Sequence, residues 1–125
     1  MNIPATHFYI VDDDPSFGKS LKRLLNARGI PADCFCSAQS FFDSIPADQL
    51  GYAIVDIHMP GIDGFALMAK MREMNYRMPV IIITGKAQAD TRDLALQRGA
   101  LGFLQKPFSD ESLLELVMQD MNGSN

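Results

Sequence analysis

The chain has 125 residues, enough for one domain with a real core, and its 47% hydrophobic and 21% charged residues exclude a disordered or fibrous protein. It carries 11 basic against 15 acidic residues, a net charge of −4, which argues against non-specific binding to nucleic acid or to an anionic membrane, since both reward a basic surface. No apolar run approaches the roughly 20 residues of a membrane span, and the opening MNIPATHF lacks the charged-then-apolar form of a signal peptide, so no membrane association and a cytoplasmic location are expected.

In chain order, strand patterns alternate with helix patterns. HFYIVD at 7–12 is a short apolar run that ends in acid. Asp14-Pro15 follows, an N-cap residue with proline at the first helical position. Phe17, Leu21, Leu24 and Leu25 then recur at helical spacing, and Gly29 closes that helix. ADCFC at 32–36 is a second strand. Its two cysteines, Cys34 and Cys36, point to the same face. A bridge between such neighbours would strain disulfide geometry, and two thiols are too few soft ligands for a metal. They are expected to be reduced structural thiols. Ser37 caps a short helix carrying Phe41, Phe42 and Ile45.

YAIV at 52–55 is the third strand, followed at once by Asp56 and then by the turn signal Pro60-Gly61. A helix starting near Gly64 carries Leu67, Met71 and Met74. Met68, Met71, Met74 and Met78 are expected to fill gaps between helix and sheet. PVIIIT at 79–84 is apolar on both faces, as a parallel strand covered by helices should be. A helix with a weak apolar stripe spans 90–98, Gly99 ends it, and LGFLQ at 101–105 is the fifth strand. Ser109 caps the last helix, with Leu113, Leu116, Val117 and Met121, and only the tail MNGSN looks loose. Five such units predict an α/β fold, a doubly wound parallel sheet of the flavodoxin-like (βα)5 kind with strand order 2-1-3-4-5.

The polar residues now fall into place. Asp12, Asp13 and Asp14 end the first strand, Asp56 the third and Thr84 the fourth, and the fifth runs into Lys106-Pro107. In a parallel sheet these ends share one edge, so Asp56 is a site residue and not a solvated terminus. Crowded carboxylates repel, and one of them should hold its proton more tightly unless a cation sits among them. Hard oxygen donors with room for water suit Mg²⁺, with Mn²⁺ as an alternative. Lys106 would be a point charge for a phosphoryl group, and Thr84 a hydroxyl donor to it. A carboxylate beside a metal and an ammonium is a reasonable nucleophile toward phosphorus. Asp14 reads as a helix cap and His7 as an ordinary strand-entry residue.

The pieces VDDDP, VDIHMPGIDG, IIITG and GFLQKPF, in that order and each at a strand end, resemble the receiver domain of a bacterial two-component response regulator. The resemblance runs from about 7 to 121, which implies one receiver domain over 1–125 with a tail at 122–125. It implies that Asp56 is the phosphoacceptor, that Asp13 and Asp12 are the acidic Mg²⁺ ligands together with Asp56, and that the backbone carbonyl of His58 is a further ligand. Thr84 and Lys106 would hold the phosphoryl oxygens. Phe103 falls at an aromatic switch position that moves with Thr84, although it also fits a core residue. The His58 and Lys86 side chains stand where the family tunes dephosphorylation. The Lys106-Pro107 bond would be cis.

The implied partner is a histidine kinase, and the implied output is a switched surface of fourth helix, fifth strand and fifth helix that drives dimers or partners. IIITG with GFLQKPF resembles receivers joined to helix-turn-helix transcription factors, so an output domain beyond MNGSN is expected, with a stand-alone receiver or a phosphorylation-independent interaction domain as alternatives. No basic recognition helix is present for direct nucleic-acid binding. Two rivals are weaker. An aspartate-nucleophile phosphohydrolase could use the D-x-D pair of Asp12 and Asp14, but Pro15 sets a helix start there and no cap is available for a substrate pocket. A flavin mononucleotide carrier would need a hydroxyl- and glycine-rich phosphate loop, and three aspartates stand in its place.

Overall fold

Three central strands are built from residues that are buried without exception. They are β1 (Phe8–Val11), β3 (Tyr52–Asp56) and β4 (Val80–Thr84). The edge strands β2 (Ala32–Phe35) and β5 (Gly102–Gln105) are partly exposed. All pairings are parallel, in the order β2-β1-β3-β4-β5. The connections are the helices α1 (Pro15–Ala27), α2 (Ala38–Ser44), α3 (Gly64–Glu73) and α4 (Thr91–Gln97), and α5 (Asp110–Gly123) follows β5. This computed structural model describes residues 6–123. The expected fold and strand order are those found. Residues 1–5 of the MNIPATHF segment and 124–125 of the MNGSN segment lie outside the described residues, and α5 runs through Met121 to Gly123.

The period of two along each strand divides the core between two faces. Tyr9, Val11, Val55 and Ile82 pack with Phe41 of α2 and Leu67, Met68 and Met71 of α3. Phe8, Ile10, Ile54 and Ile83 pack with Leu21 and Leu25 of α1 and Leu113 and Val117 of α5. Each large side chain buried this fully stabilises the fold by about 1.5–3 kcal/mol, so both faces are needed. Met68, Met71 and Met78 fill the gaps expected of them, whereas Met74 is the exposed C-cap of α3. Leu24 is likewise exposed, because the buried stripe of α1 narrows to Gly18, Leu21 and Leu25.

Local chemistry sets the helix starts. Asp14 accepts the backbone N–H groups of Ser16 and Phe17, with Pro15 in the first turn. Ser37, Asp63 and Ser109 accept N–H groups from Ser40, Ala66 and Ser112. Cys34 and Cys36 are free thiols, and Cys34 donates to the carbonyl of Gly18.

Candidate functional site at the carboxyl edge of the sheet

The ladder brings the polar strand ends together. Val11 pairs with Val55, so Asp12 follows beside Asp56. Asp56 pairs with Ile83, and Thr84 with Gln105, so Thr84 and Lys106 come next along the same edge. The Lys106 backbone N–H donates to the Thr84 carbonyl at 2.8 Å, which ties the lysine to the end of β4. The peptide bond from Lys106 to Pro107 is cis.

Oxygen atoms of Asp12, Asp13 and Asp56 lie within 4.8 Å of one another. Asp12 and Asp56 are buried, while Asp13 is exposed and opens the group to solvent. The Lys106 ammonium lies 2.6 Å from Asp12 Oδ2 and 3.5 Å from Asp56 Oδ2. Asp12 Oδ1 accepts the N–H of Asp14 at 2.9 Å, and Asp56 Oδ1 accepts that of His58 at 3.2 Å. Burial pushes the Asp56 carboxyl upward, the neighbouring Asp12 charge adds to this, and the His58 N–H and Lys106 only partly oppose it. Burial alone would lower the Lys106 ammonium, but Asp12 first and then Asp56 outweigh it and raise it. One ammonium therefore leaves this acidic pocket short of positive charge. The donor set of three carboxylates with an open side fits a small, hard divalent cation.

Thr84 is wholly buried, and its Oγ1 accepts the N–H of Lys86 at 3.1 Å. Phe103 is half-buried on β5 opposite Ile82 and packs against the α2–α3 face of the core. His58 and Lys86 are exposed at the mouth of the crevice. The structure thus brings Asp12, Asp13, Asp56 and Lys106 together and sets Thr84 at the end of the neighbouring strand, whereas Phe103 lies in the core two positions before the end of β5. Two supporting residues escaped sequence reasoning. Gly64 lets the start of α3 close on the floor of the site, since a Cβ there would lie 2.6 Å from the Asp56 carbonyl oxygen. Phe17 places its ring 4.1 Å from the Lys106 ammonium. The glycine was visible as the end of the PGIDG turn, but Phe17 looked like any member of an apolar stripe.

A doubly wound parallel sheet with three acids, a lysine and a hydroxyl on its carboxyl edge is the arrangement of a signalling domain of the receiver class. The family model of the response regulator receiver domain matches residues 8–118, and the chain belongs to that family. It is 35% identical over 111 residues to the transcriptional regulatory protein FixJ of Bradyrhizobium diazoefficiens, covering 89% of this chain and 54% of that protein. It is 32% identical over 117 residues to the response regulator protein TodT of Pseudomonas putida, covering 94% and 52%. Among solved structures, the response regulator StyR superposes with a TM-score of 0.83 at 29% identity, over 95% of this chain and 61% of that one. The chain spans about half the length of the curated relatives it matches. Receiver domains bind Mg²⁺ at an acidic pocket, and such a pocket is present here. They interact with histidine kinases and with output domains in transcriptional regulators, a signalling role and not that of a conventional enzyme. No helix among the described residues is long and apolar enough to cross a membrane.

Proposed function

We propose that this chain works in the cytoplasm, that Asp56 accepts a phosphoryl group from the phosphohistidine of a histidine kinase, and that the resulting charge switches the α4–β5–α5 surface to control an output domain and transcription. The observation that carries this reading is the Lys106 ammonium held between Asp12 and Asp56 above the three-carboxylate pocket. Asp12, Asp13, Asp56 and the backbone carbonyl of His58 would hold Mg²⁺, or Mn²⁺ in its stead. The bound ion supplies positive charge that offsets repulsion between carboxylate and phosphoryl oxygens.

The chain's own groups do the rest. An Asp56 oxygen attacks phosphorus while the phosphorus–nitrogen bond of the donor breaks. The Lys106 ammonium and the Thr84 hydroxyl take the phosphoryl oxygens, which offsets charge in a loose transition state. Thr84 Oγ1 accepts the Lys86 N–H, which leaves its own O–H proton free to donate to a phosphoryl oxygen, and Phe103 fills the space behind Thr84 as it is drawn in. The exposed side chains of His58 and Lys86 set the access of water to the acyl phosphate and so its lifetime. The state with Thr84 drawn in and the state with it released present different surfaces, and phosphorylation biases between them.

Intact mass after incubation with Mg²⁺ and acetyl phosphate tests the chemistry. One phosphoryl adduct is expected on the wild type and none on Asp56→Asn or on a chelated sample. Released phosphate without an adduct would indicate rapid turnover at the same site. Absence of both would overturn the reading. The output half is tested by solution mass and amide spectra with and without beryllofluoride, and unchanged mass together with unchanged α4–β5–α5 resonances would defeat it.

A further inference from the structure

We infer that Phe17 is the positioning residue of Lys106, its ring face holding the ammonium at the point where a phosphoryl oxygen must be met. The inference rests on the phosphoacceptor reading of the site. Lys106 Nζ lies 4.1 Å from the centroid of the Phe17 ring, inside the range of cation–π attraction. The ring is braced in turn by Phe108, edge-on at 5.9 Å and 66°. Its backbone is anchored as well, because the Phe17 N–H is one of the two that cap onto Asp14. The loop that presents Asp12 and Asp13 therefore also fixes the ring that supports Lys106.

The chemistry of the support matters. A lysine stem has four flexible carbons and a compact charge with three donors. Asp12 takes one donor at 2.6 Å and Asp56 faces a second at 3.5 Å. A ring face attracts the cation without accepting an N–H in a conventional hydrogen bond, so the third donor stays free for the incoming phosphoryl group. A carboxylate or amide in place of the ring would occupy it. The plainer role of Phe17, filling space on the α1–α5 face of the core, predicts that any apolar side chain of similar size would serve as well.

The two roles separate experimentally. Phe17→Leu keeps apolar volume without a π face, Phe17→Tyr and Phe17→Trp keep the face, and site-specific ring fluorination of Phe17 keeps the shape while draining the face. In metal-free protein, the Lys106 ε-methylene protons should be displaced by the ring current in the wild type, Phe17→Tyr and Phe17→Trp, and should return toward ordinary lysine positions in Phe17→Leu. With Mg²⁺ and acetyl phosphate, Phe17→Leu should be phosphorylated about fivefold more slowly, Phe17→Tyr and Phe17→Trp within about twofold of wild type, and the fluorinated rings progressively more slowly as fluorine is added. Wild-type rates in Phe17→Leu or in the fully fluorinated protein, or Lys106 resonances unmoved by Phe17→Leu, would overturn the inference. If Phe17→Leu does not fold, the fluorinated series decides. A wild type that takes no phosphoryl group defeats the phosphoacceptor reading, while the metal-free resonances still decide whether the ring holds the lysine.

Discussion

Helices α1 and α4 both lead away from the crevice, one after the acidic loop and the other after Thr84, yet they are held very differently. α1 has thirteen residues, a side-chain cap from Asp14, a proline in its first turn and buried Leu21 and Leu25. α4 has seven residues, its N-cap Asp90 makes no side-chain cap hydrogen bond, and Ala95 is its one buried residue. At its start, the Gln88 N–H donates to Thr91 Oγ1. At its end, Arg72 of α3 donates to the Arg98 carbonyl at 2.8 Å, and the Arg98 guanidinium lies over the Phe65 ring. Gly99 leaves room for this latch, since a Cβ there would collide with the Arg72 guanidinium and its φ of +96° also favours glycine. The contrast teaches that the acidic loop feeds a fixed helix, whereas the loop after Thr84 feeds one with little core of its own, the condition for low-energy local opening.

Core truncation should expose the contrast most strongly. Leu25→Ala should cost about 2–5 kcal/mol, and Leu96→Ala on the exposed side of α4 no more than about 0.5 kcal/mol. Denaturant unfolding measures both, and similar losses would abolish the distinction. The caps come next. Asp14→Ala should cost about 1 kcal/mol, and Asp90→Ala almost nothing, since no cap bond is lost. Arg72→Ala tests the latch: amide exchange should quicken through α4 and stay unchanged in α1, with a global loss of about 1 kcal/mol or less. Equal protection of α4 in the variant would remove the latch from the account.

The smallest effect is silent at neutral pH. On the α1–α5 side, Tyr52 donates to Asp120 at 2.7 Å. Burial first, and then this bond and charge, push the phenol from its ordinary 10.0 up to about 12. The folded state thus keeps the proton longer than the unfolded state. The stabilisation is fully present below about pH 10 and is lost as pH rises through about 12. Tyr52→Phe should flatten that alkaline limb. An unchanged limb would assign the loss to other groups.

The strands were legible because each is a short apolar run bounded by turn residues, and the acids at their ends were legible because parallel pairing places all such ends on one edge. Helical period was less informative. It assigned Leu24 and Met74 to buried stripes, but a stripe does not say how wide the facing sheet is, and both sit at its margin. It could not separate Phe17 from Leu21, because what distinguishes Phe17 is a lysine 89 positions away in sequence, at 106 against 17. The Arg72 latch was hidden for the same reason: its acceptor is a backbone carbonyl, which carries no sequence signature.

The unbroken ladder of β1, β3 and β4 also governs how this chain can change length. Loops beyond the strand ends can gain residues at a closure cost that grows only slowly, and the carboxylates keep their spacing. One residue inserted within β3 upstream of Asp56 would turn every later side chain of that strand to the opposite face. Val55 and Ile54 would exchange cores, and Asp56 would leave the Lys106 ammonium. Length variation is therefore confined to the rims of the sheet, and the distance between acid and lysine is inherited from the hydrogen-bond register.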